Sequence, residues 1–273
     1  MAALSPKRMS RKLVAGITYP HDAVTSNFLS ATTLMAWRAF LTVVFLAVLI
    51  LAMVRWFSKG DSIYDLQCMS RAFFMFTHLN HFGLMCYLGM STYLGYRFTR
   101  AVAAQRDMDV SNVTATIHSL LYTFNCTNHP IVVVVYWLFL SDNFTKSTST
   151  PGRFVSVFMH GVTLVIVLLE ISYGRMRMNW IGIVPVLVLL VLYTCWAIIY
   201  HAIGDAWVYS FLDYTKPAAA YMYPGVLVAA IVFFCIMVLV HRLRDAVVGR
   251  SDGYEANKEV ELSATRLNAS DNV

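Results

Sequence analysis

The sequence predicts an all-α fold, a polytopic membrane bundle of six transmembrane helices with both termini in the cytosol. Three observations carry that prediction. The 273 residues are 58% hydrophobic and 13% charged, with a mean hydropathy of +0.60, too little charge for a soluble domain of this length. Six segments approach the ~20 apolar residues that cross a hydrocarbon layer. Lys and Arg, finally, are unevenly divided between alternate connections.

The elements follow in order. Residues 1–33 form a cytosolic arm in which Lys7, Arg8, Arg11 and Lys12 are followed by mixed polar sequence. That pattern is not a signal peptide, which needs a short apolar run and a small-residue cleavage site. The spans fall at 34–55, 72–96, 114–140, 154–173, 181–201 and 218–240, making 34–240 one membrane domain. The apolar runs are too long for barrel strands, and a lipid-facing backbone must satisfy its own hydrogen bonds, so the spans are helices. The cytosolic tail, 241–273, is charged and poor in aromatics, a composition that predicts disorder.

Alternation then sorts the charges. Segments 1–33, 97–113, 174–180 and the tail hold 14 of the 21 Lys and Arg, whereas the opposite loops hold five, Lys59, Arg71, Lys146, Arg153 and Lys216. The excess places both termini inside. Five cysteines without close spacing predict no disulfide or metal framework. No basic face interleaved with aromatics predicts a nucleic-acid partner.

Polar residues inside spans carry the functional information. Thr77 lies five residues into the second span and His160 six residues into the fourth, both counted from the outer side. At ~1.5 Å per residue the two sit at matching depth, roughly 8–9 Å below their helix starts. A hydroxyl and an imidazole at one depth are the parts of a nucleophile–base pair. Thr77, Asn80, His81 and Leu84 share one helix face, and His118, Tyr122, Asn125 and His129 form a second stripe. Tyr193, Tyr200 and His201 add polar groups on the fifth span. The competing reading is structural: a Thr bonding its own i−4 carbonyl, a His joining helices, and His118, Asn125 and His129 as interhelical links. Glu170 lies near the cytosolic end, where Arg175 or Arg177 is its expected partner. Asp205, in the last outer loop, is a candidate to orient His160.

Two other chemistries fit less well. A zinc site needs three or four ligands with an orienting shell; His78, His81, His160 and His201 have no acidic residue among them within the spans. Paired haems need axial histidines at both faces, and the cytosolic face offers only His118. A single haem between His81 and His160 is a third reading. The nucleophile–base reading implies no cofactor and no metal.

The run Tyr193-x2-Trp196, His201, Trp207-Val208-Tyr209-x-Phe211-Leu212, with Met159-His160 and Glu170 ten residues later, resembles the androgen-induced-gene and androgen-dependent TFPI-regulating protein family. The resemblance extends from about Phe74 to Val240 and is strongest over 193–212. It implies a six-helix membrane threonine hydrolase that cleaves fatty acid esters of hydroxy fatty acids or similar lipids. Thr77 matches the family's nucleophile, with Phe76 before it and Gly89 twelve residues after, and His160 matches its histidine. Two positions depart from the pattern, Ser156 where members often carry Asn or Asp, and Gly204, displaced by one.

Together these readings predict an intramembrane lipid ester hydrolase with catalytic Thr77 and His160. Asn80, His81, His201, Trp207 and Tyr209 are candidates to hold the substrate or its oxyanion, and Trp207, Tyr209 and Phe211 would also anchor the outer rim at the interface. The partner is a membrane lipid substrate, and the location is an endomembrane such as the ER, or the plasma membrane. The alternative is a non-enzymatic membrane scaffold or fusion-type protein of the same fold.

Overall fold

The computed structural model describes residues 20–57, 73–106, 108–145, 148–204 and 206–249. The basic arm cluster at Lys7–Lys12, Cys68, Asp205 and the tail from 250 lie outside the described residues.

Every regular element among the described residues is helical. A short α1 (Pro20–Val24) leads into α2 (Ala31–Phe57). Next come α3 (Phe76–Ala103) and α4 (Asn112–Val135), the latter continuing through a π-helical turn at Tyr136–Leu140. After the short α5 (Asp142–Thr145), α6 (Thr150–Val157) runs through a second π-helical turn, Phe158–Val162, into α7 (Thr163–Tyr173). A 3₁₀ turn at Trp180–Gly182 opens α8 (Ile183–Gly204), and another at Ser210–Leu212 precedes α9 (Ala219–Val247).

Five of these stretches are long and apolar enough to cross a membrane: Ala31–Arg55, Asn112–Leu140, Thr150–Tyr173, Trp180–Gly204 and Ala219–Val247. Their outer faces form an apolar surface that includes Val43, Ile50, Val188, Val191, Val232 and Leu239, suited to lipid rather than water. α3 is as long but more polar, and the reason is its place inside the bundle. It packs between α2 and α4 and turns Thr77, Asn80, His81 and Ser91 inward. Gly95 permits a close approach there, since a Cβ would meet the Met35 Cβ at 3.1 Å.

The helices alternate in direction. One end gathers the starts of α2, α4 and α8 with the finishes of α3, α7 and α9; the other end gathers the opposite termini. At the first end, Ser26 bridges to Gly174, and the Ser26 hydroxyl donates to the Tyr173 carbonyl at 2.6 Å. The arm is therefore partly built into the bundle, with Ala23 and Val24 buried. The last helix also outruns the expected boundary at 240. His241, Arg244 and Asp245 are buried, and the Arg244 Nη1 donates to the carbonyls of Ile171, Gly174 and Met176 at 2.9–3.0 Å. Charges that look tail-like in sequence thus cap the open carbonyls where α7 ends.

The same end corrects the expected partner of Glu170. Its carboxylate accepts from Arg38 of α2, with Nη2 to Oε2 at 2.8 Å and Nε to Oε2 at 3.0 Å, and from the Tyr87 hydroxyl at 3.1 Å. Arg177 pairs with Asp245 at 2.7 Å, and Arg175 approaches Asp22 at 4.0 Å. Arg38 lies about two turns inside α2 and is fully buried, where a guanidinium without a carboxylate partner is costly.

Candidate active site

The site begins with an irregularity in each contributing helix. α3 starts at Phe76, after Met75 in an extended conformation (φ −72°, ψ 124°). Thr77 is therefore the second residue of its helix, not one turn inside it. The first N–H groups of a helix have no intrahelical acceptor, and Met75 offers no side-chain oxygen to cap them. His160, meanwhile, sits in the π-helical turn joining α6 to α7. Turns of this kind displace the regular ladder and recur at functional sites.

The two π-helical turns dock on each other. The Tyr136 ring stacks on the His160 imidazole, with centroids 3.5 Å apart and planes within 11°. The neighbouring Trp137 donates its indole N–H to the His160 carbonyl at 2.8 Å. This arrangement clamps His160 from one face and from its own backbone.

His160 then meets Thr77. The Nε2 of His160 lies 3.3 Å from Thr77 Oγ1, and its Nδ1 lies 2.8 Å from the Ser156 carbonyl. A carbonyl only accepts, so Nδ1 carries the proton of the neutral ring and Nε2 presents a lone pair to the hydroxyl. The group that orients the base is thus a main-chain carbonyl one turn upstream. The side chain at 156 is not required for it, and Asp205 lies outside the described residues.

A cavity of about 210 Å³ opens beside Thr77. It runs between α4, α8, α9 and the loop before α9, and its walls are almost wholly apolar. Val191 and Leu227 line it while also standing 59% and 41% exposed on the outer surface, so its mouth reaches the apolar face of the bundle. Thr77, Tyr193 and Tyr209 supply hydroxyls at one wall, and Tyr193 donates to the Phe74 carbonyl at 3.1 Å.

The predicted residues divide into three groups. Thr77, His160 and Tyr209 come together: the Tyr209 phenol interacts with the Thr77 side chain and with the main chain of Phe76 and Thr77. Asn80 and His81 are on the Thr77 helix but are committed elsewhere. Asn80 Nδ2 donates to the Phe76 carbonyl at 2.7 Å, and His81 bonds the Phe45 carbonyl through Nε2 at 2.9 Å while stacking on the Phe45 ring. His201 and Trp207 form a separate stack, centroids 4.1 Å apart, with Tyr214 edge-on.

The interior holds two further hydroxyl–imidazole pairs. Ser91 Oγ lies 2.7 Å from His118 Nε2, and Tyr122 Oη lies 2.6 Å from His241 Nε2. Both are sealed among buried side chains, and neither lines the cavity. Among the described residues, no group of three His, Cys, Asp or Glu is gathered as a metal site.

Sequence reasoning missed Tyr136, Trp137, the Ser156 carbonyl and the Phe76 amide. Of these only the aromatic pair left a trace, in polar-edged rings just beyond Pro130 on a helix already rich in polar residues. No family model matches the chain, and no curated protein or solved structure does so either.

Proposed function

We propose that this protein is an intramembrane lipid ester hydrolase with Thr77 as nucleophile and His160 as general base. One observation supports it above the rest. Of the three hydroxyl–imidazole pairs described above, only Thr77–His160 has a member, Thr77, that lines the apolar cavity.

In this reading α3 is a sixth span, both termini are cytosolic, and the site lies near the outer leaflet. An apolar ester diffuses sideways from the bilayer past Val191 and Leu227, and its acyl chain occupies the cavity. His160 Nε2 removes the Thr77 proton as Oγ1 bonds to the ester carbonyl carbon, and the carbonyl π electrons move onto oxygen. Collapse of that intermediate breaks the bond to the alcohol, which takes the proton from His160 and leaves. Water, deprotonated by the same nitrogen, then attacks the acyl-threonine and releases the acid and free Thr77. The 3.3 Å spacing is looser than a working proton-transfer bond, as is common before substrate arrives. Fatty acid esters of hydroxy fatty acids are the first substrates to try, and no cofactor enters the scheme.

The test is labelling of the detergent-solubilised protein with an alkyl fluorophosphonate, alongside hydrolysis of long-chain esters. The proposal predicts both in wild type and neither in folded Thr77→Ala or His160→Ala. A folded wild type that neither labels nor hydrolyses overturns it, and leaves the pair as an interhelical hydrogen bond in a membrane scaffold.

A further inference from the structure

An acyl transfer needs donors for the negative charge that develops on the carbonyl oxygen, and this term is usually the largest in the reaction. The two residues best placed by sequence, Asn80 and His81, have donors already directed at the Phe76 and Phe45 carbonyls. The remaining donors near Thr77 lie outside its own helix face.

Tyr209 is such a group. It belongs to the loop between α8 and α9, is 8% exposed, and packs in a cluster with Phe76 and Tyr193. Its ring stacks on Phe211, with centroids 5.1 Å apart and planes within 6°, which fixes its direction. Its phenol interacts with the Thr77 side chain, the main chain of Phe76 and Thr77, and the Tyr193 phenol. All four of Phe76, Thr77, Tyr193 and Tyr209 line the same cavity. The main-chain contacts favour negative charge on the phenol oxygen, as N–H donors do, and Phe76 and Thr77 are the first two residues of α3. The Tyr209 oxygen thus rests in front of a helix N-terminus, against the nucleophile, where the field stabilises an anion.

We propose that Tyr209 is a third catalytic residue, whose O–H joins the N–H groups of Phe76 and Thr77, which its oxygen contacts at rest, to form the oxyanion hole for the ester that Thr77 attacks. The inference rests on the hydrolase reading above. As Oγ1 bonds to carbon, the carbonyl oxygen gains an electron pair and accepts from the two amides and the phenol. The phenol turns from its resting contacts to donate. The proton stays on Tyr209 throughout, because burial raises its pKa and makes it a hydrogen-bond donor rather than an acid. Tyr193, which holds the phenol by a side-chain contact and is itself tied to the Phe74 carbonyl, is a positioning residue.

Tyr209→Phe in the full-length protein removes the phenol oxygen with its contacts and keeps the ring. Ester hydrolysis should fall roughly 10²–10³-fold in kcat, with KM within about threefold. Inhibition by an alkyl trifluoromethyl ketone, whose adduct carries an oxyanion, should weaken by a similar factor. Inhibition by the matching methyl ketone should not change. If the Phe variant does not fold, 3,5-difluorotyrosine at 209 keeps the shape, and activity should then fall with rising pH as the fluorinated phenol ionises. Active wild type, dead Thr77→Ala and Tyr209→Phe within about threefold of wild type would overturn this inference while leaving the hydrolase reading intact. Inert wild type would overturn both.

Discussion

His160 and His241 are built alike and sit at opposite ends of the bundle. Each donates Nδ1–H to the carbonyl four residues upstream, at 2.8 Å for Ser156 and 2.6 Å for Met237. Each then presents Nε2 to a hydroxyl on another helix, Thr77 at 3.3 Å and Tyr122 at 2.6 Å. The imidazole chemistry is the same, so the surroundings must decide the role. At the His241 end, the hydrogen bond is short and the neighbours are Tyr87, Glu170, Arg38 and Arg244, in a network that leaves no access. At the His160 end, the contact is loose, the amides of the helix start face only the Tyr209 phenol, and a cavity meets the hydroxyl. Satisfied polar groups lock a bundle, whereas a site needs groups still free to bond something else.

That contrast is open to direct attack by mutation. The largest effect is expected at Thr77 and His160, where alanine should reduce ester hydrolysis by roughly 10⁴-fold. Ser91→Ala should leave hydrolysis within about threefold of wild type when assayed alongside, although Ser–His is the more familiar nucleophilic pair. Loss of activity in Ser91→Ala with Thr77→Ala unaffected would reverse the assignment.

Next in size is the opposite end, where the change should appear in stability instead of turnover. Glu170→Gln leaves Arg38 buried without its counter-ion and should cost about 3–5 kcal/mol, read as a lower unfolding midpoint in detergent. The double change Arg38→Met with Glu170→Leu should recover most of that loss. If the double variant is no more stable than the single one, the pair is more than a compensated charge.

Smaller effects refine the clamp around His160. Trp137→Phe removes the donor to the His160 carbonyl and should lower kcat by about tenfold, equivalent to ~1.4 kcal/mol, with KM steady. Tyr122→Phe should cost about 1 kcal/mol in stability and leave kcat unchanged. A Tyr122→Phe variant that lost activity at full stability would show that the two ends communicate.

Much of the bundle was legible because hydropathy and length act locally: four of the five apolar spans recur within a few residues of where composition puts them, and the last runs on from 240 to Val247. The Thr77–His160 contact was legible for a related reason, that polar side chains inside spans turn inward and two at one depth can meet. The depth estimate itself was inexact. α3 starts at Phe76 and α6 at Thr150, each four residues from its expected place, in opposite directions along the chain. The two helix starts therefore do not lie at one level, and the side chains meet because α6 begins about two turns further out than α3. The two π-helical turns, the Phe76 amide and the Ser156 carbonyl were not legible, because main-chain donors and acceptors look the same at every residue of a sequence. Arg38–Glu170 was hidden differently: an ion pair 132 residues apart is set by which helices pack together, which hydropathy does not encode.

The most direct measurement is to map, by peptide mass spectrometry, the residue that carries the phosphonyl adduct after fluorophosphonate labelling of the folded protein. The account predicts the adduct on Thr77, absent when His160 is replaced by alanine. An adduct on Ser91 or any other hydroxyl, with Thr77 unmodified, would contradict it.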